Sequence, residues 1–510
     1  MGAIMTDLNL SRNLAVRPRA GCFLAVFMLA GLLATSAPAQ TFRTLHSFVE
    51  PNLYMNTNSD GADVSAGLVV SGGTLYGAAR HGGTYGNGTV FAVKNDGTCF
   101  TNLHNFTATS TPYFTNSDGV EPMAKLALSG STLYGTSWTG GGAGDGTVFA
   151  VNTDGTGFTT LHSFTPPNSS SSDGYAPVAG LILTANALFG TTTFGGSMGL
   201  GTVFAVRTDG TGFTNLHGFG GDHNGAVPTA GLILSGNTLY GTTEQGGSYL
   251  EGTVFAVSTN GSDFTTLHSF STLASTNASG VHTNSDGASP EAGLILSGNT
   301  LYGTTAQGGS SGNGTTYAIN IDGTGFTNLH SFTALQRGTN SDGSVPLAGL
   351  ILSGNTLYGT AEWGGSSGFG TVFAVNTNGT GFTTLHSFTA TSGPTPGTNS
   401  DGAYPWAGLI LSNNAIYGTA FAGGSGGFGT VFSLSFTPQL TIIPSGANII
   451  LTWPTDYAGF DYTGYTLQST TNLGSSAVWS TNSPGPVVVN GQNAVTNPIS
   501  GTRQFYRLSQ

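Results

Sequence analysis

Residues 41–48 read TFRTLHSF, the closing phrase of a repeat that has not yet begun. The same phrase, as FTTLHSF or a near copy, ends six later units, with its leucine at Leu103, Leu161, Leu216, Leu267, Leu329 and Leu385 after a first copy at Leu45. Each unit carries four signals in fixed order. An apolar segment, AGLILSG, precedes TLYGTT and a Gly-Gly pair; GTVFAV follows, and FTTLHSF comes after a TDGTG turn. The spacing of 51 to 62 residues belongs to repeat architectures with about four strands per unit.

All four signals read as strands, called A to D here. TLYGTT and GTVFAV are β-branched and aromatic and are bounded by Gly, Asn or Asp. The C–D turns are Asp-Gly or Asn-Gly, residues that tolerate the positive φ of tight hairpins. Strands A, B and C occur seven times, but D follows C only six times; the last copy stops at GTVFSLSF (429–436). The opening segment is the missing D strand. Only a ring uses such a split unit, because the first strand then covers the last sheet edge. The expectation is all-β: a seven-bladed β-propeller over 41–436, closed by its N-terminal strand. Residues 438–510 lack the repeat and alternate in short runs (LTIIP, NIILTWP, YTLQST, PVVVN, QFYRL), as a small immunoglobulin- or fibronectin-like β-sandwich would, with Trp453 in its core.

Composition agrees with many short strands. Charged residues are 7% of the chain and glycines number 82, which argues against long amphipathic helices. The N-terminus is different: Arg12, Arg17 and Arg19, the apolar run 22–34 and Ala37-Pro38-Ala39 have the layout of a secretory signal peptide over 1–39. Its removal takes three of the 11 basic residues and one of the 23 acidic ones, leaving a net charge of −14. That balance excludes nucleic acid and anionic membrane surfaces as partners. The expected product is a secreted or cell-surface monomer with no membrane span after cleavage. Cys99 would be its one cysteine, so no internal disulfide can form.

The unit AGLILSGNTLYGTT…GG…GTVFAVNTDGTGFTTLHSF resembles the tandem repeat of the choice-of-anchor, GloVer-containing exported bacterial proteins. The resemblance covers essentially all of 41–436. It implies export and a propeller, and it supplies no catalytic residues.

Repeated polar residues read as framework. The seven LHxF histidines, His46, His104, His162, His217, His268, His330 and His386, cannot share a metal. Stacked sheets lie about 10 Å apart, whereas zinc–nitrogen bonds are about 2 Å. Each is expected to bond a neighbouring loop oxygen; the SDG aspartates after strand D (Asp60, Asp118, Asp173, Asp286, Asp342, Asp401, with Asn224 in the fourth copy) are the natural partners. The same aspartates suit an Asx-type turn. No cofactor is expected. A calcium ring is the one ion these aspartates suggest, and it would demand roughly six to eight oxygens.

Chemistry belongs where the copies differ. The B–C and D–A connections share one face, and the D–A loops vary from four to fifteen residues. The two positions before Gly-Gly read Arg80-His81, Trp138-Thr139, Thr193-Phe194, Glu244-Gln245, Ala306-Gln307, Glu362-Trp363 and Phe421-Ala422. With Trp406, this rim offers aromatic faces for stacking and amide or carboxylate groups for hydroxyls. At the mouth of the axis, Lys125 replaces a repeated Gly near Asp63, Glu121, Glu291 and Tyr404, a candidate ligand site where an ion pair with the carboxylates is the favoured expectation. These features favour a non-catalytic binding or cell-surface interaction protein, with carbohydrate as ligand. The rivals are a polysaccharide-active enzyme using mouth carboxylates and a structural surface or spacer protein.

Overall fold

The computed structural model describes residues 39–510 except 53–55, 112–113, 166–172, 277–279, 395–396, 458, 474–476, 500–502 and 510. Apart from Ala39, the expected signal segment lies outside the described residues. Every named element is a strand, and among the described residues no helix is long and apolar enough to cross a membrane. The chain separates into two compact units. One is Phe42–Ser435; the other takes Phe436–Gln510 and the described residues before Phe42.

In the larger unit the repeats fold as antiparallel sheets of four strands. In sheet 1, strand A is Val69–Ser71, B is Thr74–Ala79, C is Thr89–Lys94 and D is Thr101–Asn105, hydrogen-bonded in that order. Sheets 2 to 6 repeat this order and end at Ser163, Gly218, Ser269, Ser331 and Ser387. Sheet 7 contains Ile410–Ser412, Ala415–Ala420 and Thr430–Thr437, and its fourth strand is Ala39–Ser47. The orphan phrase therefore takes the D position of the last sheet. Phe48 N–H donates to Gly429 O at 3.0 Å, the bond that Phe106 makes locally to Gly88 in sheet 1.

Strands B and C are buried almost throughout because neighbouring sheets cover both of their faces. Tyr76, Val90 and Ala92 pack against Leu126, Leu133 and Phe149 of sheet 2, while Leu75, Phe91 and Val93 pack against Ile410, Tyr417 and Val431 of sheet 7. The glycine of TLYG permits this density: a Cβ on Gly77 would lie 2.6 Å from Phe91. Strand A is shorter than AGLILSG suggests. Its first half leaves the ladder, and its alanine carbonyl instead accepts the Thr hydroxyl of the preceding sheet's strand B, as in Thr136 Oγ1 to Ala179 O at 3.1 Å. Thr419 of sheet 7 makes the same bond to Ala66 of sheet 1.

Each C–D pair from sheet 1 to sheet 6 carries a bulge, between Val90 and Phe91 in sheet 1. A bulge turns consecutive residues toward one side. Accordingly Leu103 packs on the core shared with sheet 2, and the adjacent His104 ring stacks on Phe158 of sheet 2 at 3.7 Å. The same stack recurs as His162–Phe213, His217–Phe264, His268–Phe326 and His330–Phe382, at 3.7 to 4.0 Å. His386 then lies on Phe42, and His46 lies on Phe100, so the series returns to its start through the N-terminal strand.

In the smaller unit, Thr441–Ser445, Asn448–Pro454, Gln492–Pro498 and Val487–Val489 form one sheet, and Ser480–Thr481, Thr466–Thr470 and Phe505–Ser509 form another. Leu451, Trp453, Leu467 and Val495 make their shared core, with Trp453 fully buried as its sequence context suggests.

Deleting residues 40–48 uncovers the edge of strand C in sheet 7 and removes two of the seven ring stacks. A lower melting temperature is expected; an unchanged one would show that the strand closes nothing. Phe48→Ala alone should cost about 3–5 kcal/mol, read by denaturant unfolding, because Phe48 is fully buried.

Candidate functional site

The variable face is held by a repeated polar frame. Asn58 Oδ1 accepts the N–H of Gly61 at 2.9 Å and of Gly83 at 2.8 Å, tying the D–A loop to the Gly-Gly pair of its own sheet. Asn116, Asn284, Asn340 and Asn399 do the same. The turn thus belongs to this asparagine, two residues before the aspartate to which the sequence reading assigned it. The aspartates bond the histidines instead. His Nε2 lies 2.8 to 3.3 Å from the carboxylate in His46–Asp60, His104–Asp118, His162–Asp173, His268–Asp286, His330–Asp342 and His386–Asp401. In sheet 3, His217 meets Asn224 at 3.4 Å. Burial alone would raise the carboxyls of Asp118, Asp286, Asp342 and Asp401. Bonds from the histidine and from a Ser or Thr hydroxyl and backbone N–H hold them below the usual range. Among the described residues no group of three or more His, Cys, Asp or Glu is arranged to hold a metal.

Beyond each SDG, or HNG in the fourth copy, comes a residue that is not glycine yet has left-handed backbone: Asp63, Glu121, Ala176, Val227, Ser289, Val345 and Tyr404, with φ of 53° to 59°. This conformation costs about 1–3 kcal/mol per residue, most for β-branched valine. Two bonds offset the cost. The N–H of Tyr404 donates to Phe369 O of the preceding sheet at 3.0 Å, and its carbonyl accepts from Phe421 N–H at 3.0 Å. The other six make the equivalent pair of bonds. One backbone frame therefore presents six different residue types at seven positions, beside the variable position before each Gly-Gly.

Two sectors of unlike chemistry result. In the first, Arg80 bonds Glu121 at 2.6 Å and sits over Trp138 at 5.2 Å. His81 Nδ1 lies 2.8 Å from Asp63, and its Nε2 lies 3.8 Å from Glu121. Burial alone would lower the His81 pKa, but bonds and charges from Asp63 and Glu121 outweigh it and lift the value from 6.5 to about 9. Among the described residues Lys125 makes no ion pair; Arg80 and His81 engage Glu121 and Asp63 instead. Solvent reaches the Lys125 side chain, yet the protein crowded around it desolvates the ammonium and lowers its pKa.

The second sector is aromatic and acidic. Trp363 meets Tyr404 at 4.6 Å, Phe369 meets Tyr404 at 5.5 Å, and Trp406 stacks on Phe421 at 3.9 Å. Glu362 is buried there, at 8% exposed. Burial pushes the Glu291 carboxyl up to about 7, with repulsion from Glu244 and Glu362 adding to the shift. Gln245 reaches Glu244 at 3.2 Å, Phe194 meets Tyr175 at 5.5 Å, and Gln307 is exposed. Phe369 escaped the sequence reading. Its signal was the residue before each Gly-Thr of strand C (Asn87, Asp145, Leu200, Glu251, Asn313, Phe369, Phe428), which varies just as the rim does. Two shallow grooves lie away from these sectors, one around Cys99 and Thr153–Thr156, the other along Thr107–Ser110.

Two outcomes follow from the charges. His104→Ala and Asp118→Ala should be non-additive by about 0.5–3 kcal/mol in a double-mutant cycle read by unfolding. Additive losses would show that the 2.8 Å contact stabilises nothing. Since the folded-state pKa of His81 is raised, its stabilising contribution is complete below about pH 6.5 and is lost as pH rises through about 9. Melting temperatures from pH 6 to 10 should therefore fall more steeply for wild type than for His81→Ala.

No curated protein matches the chain. Among solved structures it is similar to the GH74 enzyme of Niastella koreensis, at 15% identity and TM-score 0.44, covering 89% of this chain and 72% of that one. An oligogalacturonate lyase in complex with manganese is 9% identical with TM-score 0.42, covering 79% and 98%. A nidogen/laminin complex structure is 14% identical with TM-score 0.35, covering 59% and 90%. At these values the likenesses say nothing about chemistry. The Gloeobacter/Verrucomicrobia repeat matches residues 108–283 and 274–445, together about two thirds of the chain. The chain belongs to the Gloeobacter/Verrucomicrobia repeat family.

Proposed function

We propose that this is an exported, non-catalytic binding protein whose repeats form a closed seven-bladed β-propeller and whose B–C and D–A loop face takes carbohydrate. The smaller unit is an immunoglobulin- or fibronectin-like sandwich in this reading, and residues 1–39 direct export. The ring-stack series that passes through Phe42 and His46 supports closure. The observation that carries the binding role is the left-handed frame. Strained backbone is kept at all seven equivalent positions, while the side chain it displays changes from one sheet to the next. Aromatic faces at Trp363, Tyr404, Trp406 and Phe421 suit the apolar faces of sugar rings, and Gln245, Gln307 and Glu244 can meet hydroxyls.

A second reading has one observation in its favour. With its pKa lifted to about 7, Glu291 holds a proton near neutrality, as the general acid of a polysaccharide-active enzyme must. Release of reducing ends that is abolished by Glu291→Gln would establish that reading and end the non-catalytic one.

A glycan array probed with wild type and with Trp138→Ala/Trp363→Ala tests the proposal. Wild type should retain one family of glycans, and the double variant should lose at least tenfold in signal. Silence from both proteins, or equal signal from both, defeats it.

A further inference from the structure

We infer that the rim between sheets 6 and 7 is an ammonium subsite, built for a sugar unit that carries a free amine, such as glucosamine, in preference to its N-acetylated form. The inference rests on the carbohydrate reading and names the class of sugar. Its core is one carboxylate among rings. Glu362 is 8% exposed and makes no ion pair among the described residues. Its polar neighbours are the indole N–H groups of Trp406 and Trp363, which favour the carboxylate, but burial wins and raises its pKa. The Trp406 Nε1 atom is itself buried without a hydrogen bond of standard geometry.

A buried carboxylate is normally matched by a cation. Arg80 is engaged by Glu121 and His81 by Asp63, and among the described residues neither these nor Lys125 pairs with Glu362. Near Glu362 stand aromatic rings instead: Trp363 and Phe369 both meet Tyr404, and Trp406 stacks on Phe421. Ring faces attract cations, and Trp attracts them most. Glu291 is close enough to feel the charges of both Glu362 and Glu244, so the neighbourhood is acidic. A protonated amine would neutralise Glu362 and lie against the rings at once. An acetamido group could stack but would leave the carboxylate unmatched.

Isothermal titration of the full chain with a glucosamine hexamer, an N-acetylglucosamine hexamer and choline, at a pH where the amine is protonated, tests the assignment. The glucosamine hexamer should bind wild type at least tenfold more tightly than the acetylated one. Glu362→Gln should erase that preference, bringing the two hexamers to within about twofold of each other, whereas Trp363→Ala should weaken both. Equal affinities of the two hexamers for wild type, lost together in Trp363→Ala, overturn the ammonium subsite and leave carbohydrate binding standing. Binding of choline alone overturns the amino-sugar assignment and the carbohydrate reading with it. The wild-type comparison decides the matter even should a variant fail to fold.

Discussion

Each outer-strand histidine lies flat on a phenylalanine of the next sheet, with its far nitrogen 2.8 to 3.4 Å from an aspartate or asparagine of the following loop. The rest of the larger unit depends on this contact. A four-stranded sheet buried on both faces cannot stand alone, because its B and C strands would meet water on whichever side lost its neighbour. The histidine serves two needs at once: its ring face completes the apolar contact between sheets, and its Nε2 anchors the D–A loop. The bulge in the C–D pair makes this possible, since it aims Leu103 and His104 at the same neighbouring sheet.

Anchoring the loops separates framework from display. Asn58 and its counterparts pin the D–A loop to Gly-Gly, and the left-handed residue that follows is clamped between two sheets. The loop before these fixed points, from the strand-D phenylalanine to the histidine-facing Asp or Asn, changes from four to fifteen residues, while the bonds that hold each left-handed residue recur in all seven copies. The result is a surface of constant geometry and variable chemistry. Here that chemistry divides into a charge-matched sector around Arg80 and His81 and an acidic, aromatic sector around Glu362.

Much of this was legible from residues alone. The order of strands, the place of TFRTLHSF, the tight turns and the burial of Trp453 follow from hydrophobic pattern and counting, because each depends on local spacing. The pairing of histidine with aspartate was also foreseeable, since both recur at matching places in the repeat. Lys125 was misread. Its nearness to Asp63, Glu121 and Glu291 suggested an ion pair, but Glu121 and Asp63 pair with Arg80 and His81, and among the described residues Lys125 makes none. Phe369 was missed because it precedes a strand in one sheet and meets Tyr404 only in the next.

The sequence by itself determined the repeat, its strands and the need for its first strand to complete its last unit. Those properties are written in periodicity, turn residues and the number of copies, which are one-dimensional. Only the tertiary structure decided which non-repeating side chains meet. The rim is assembled from neighbouring sheets about fifty residues apart in the chain, and its aim is set by backbone dihedrals that no glycine announces. The same fold that conceals histidine and phenylalanine between the sheets leaves Glu362 buried among rings without a cation.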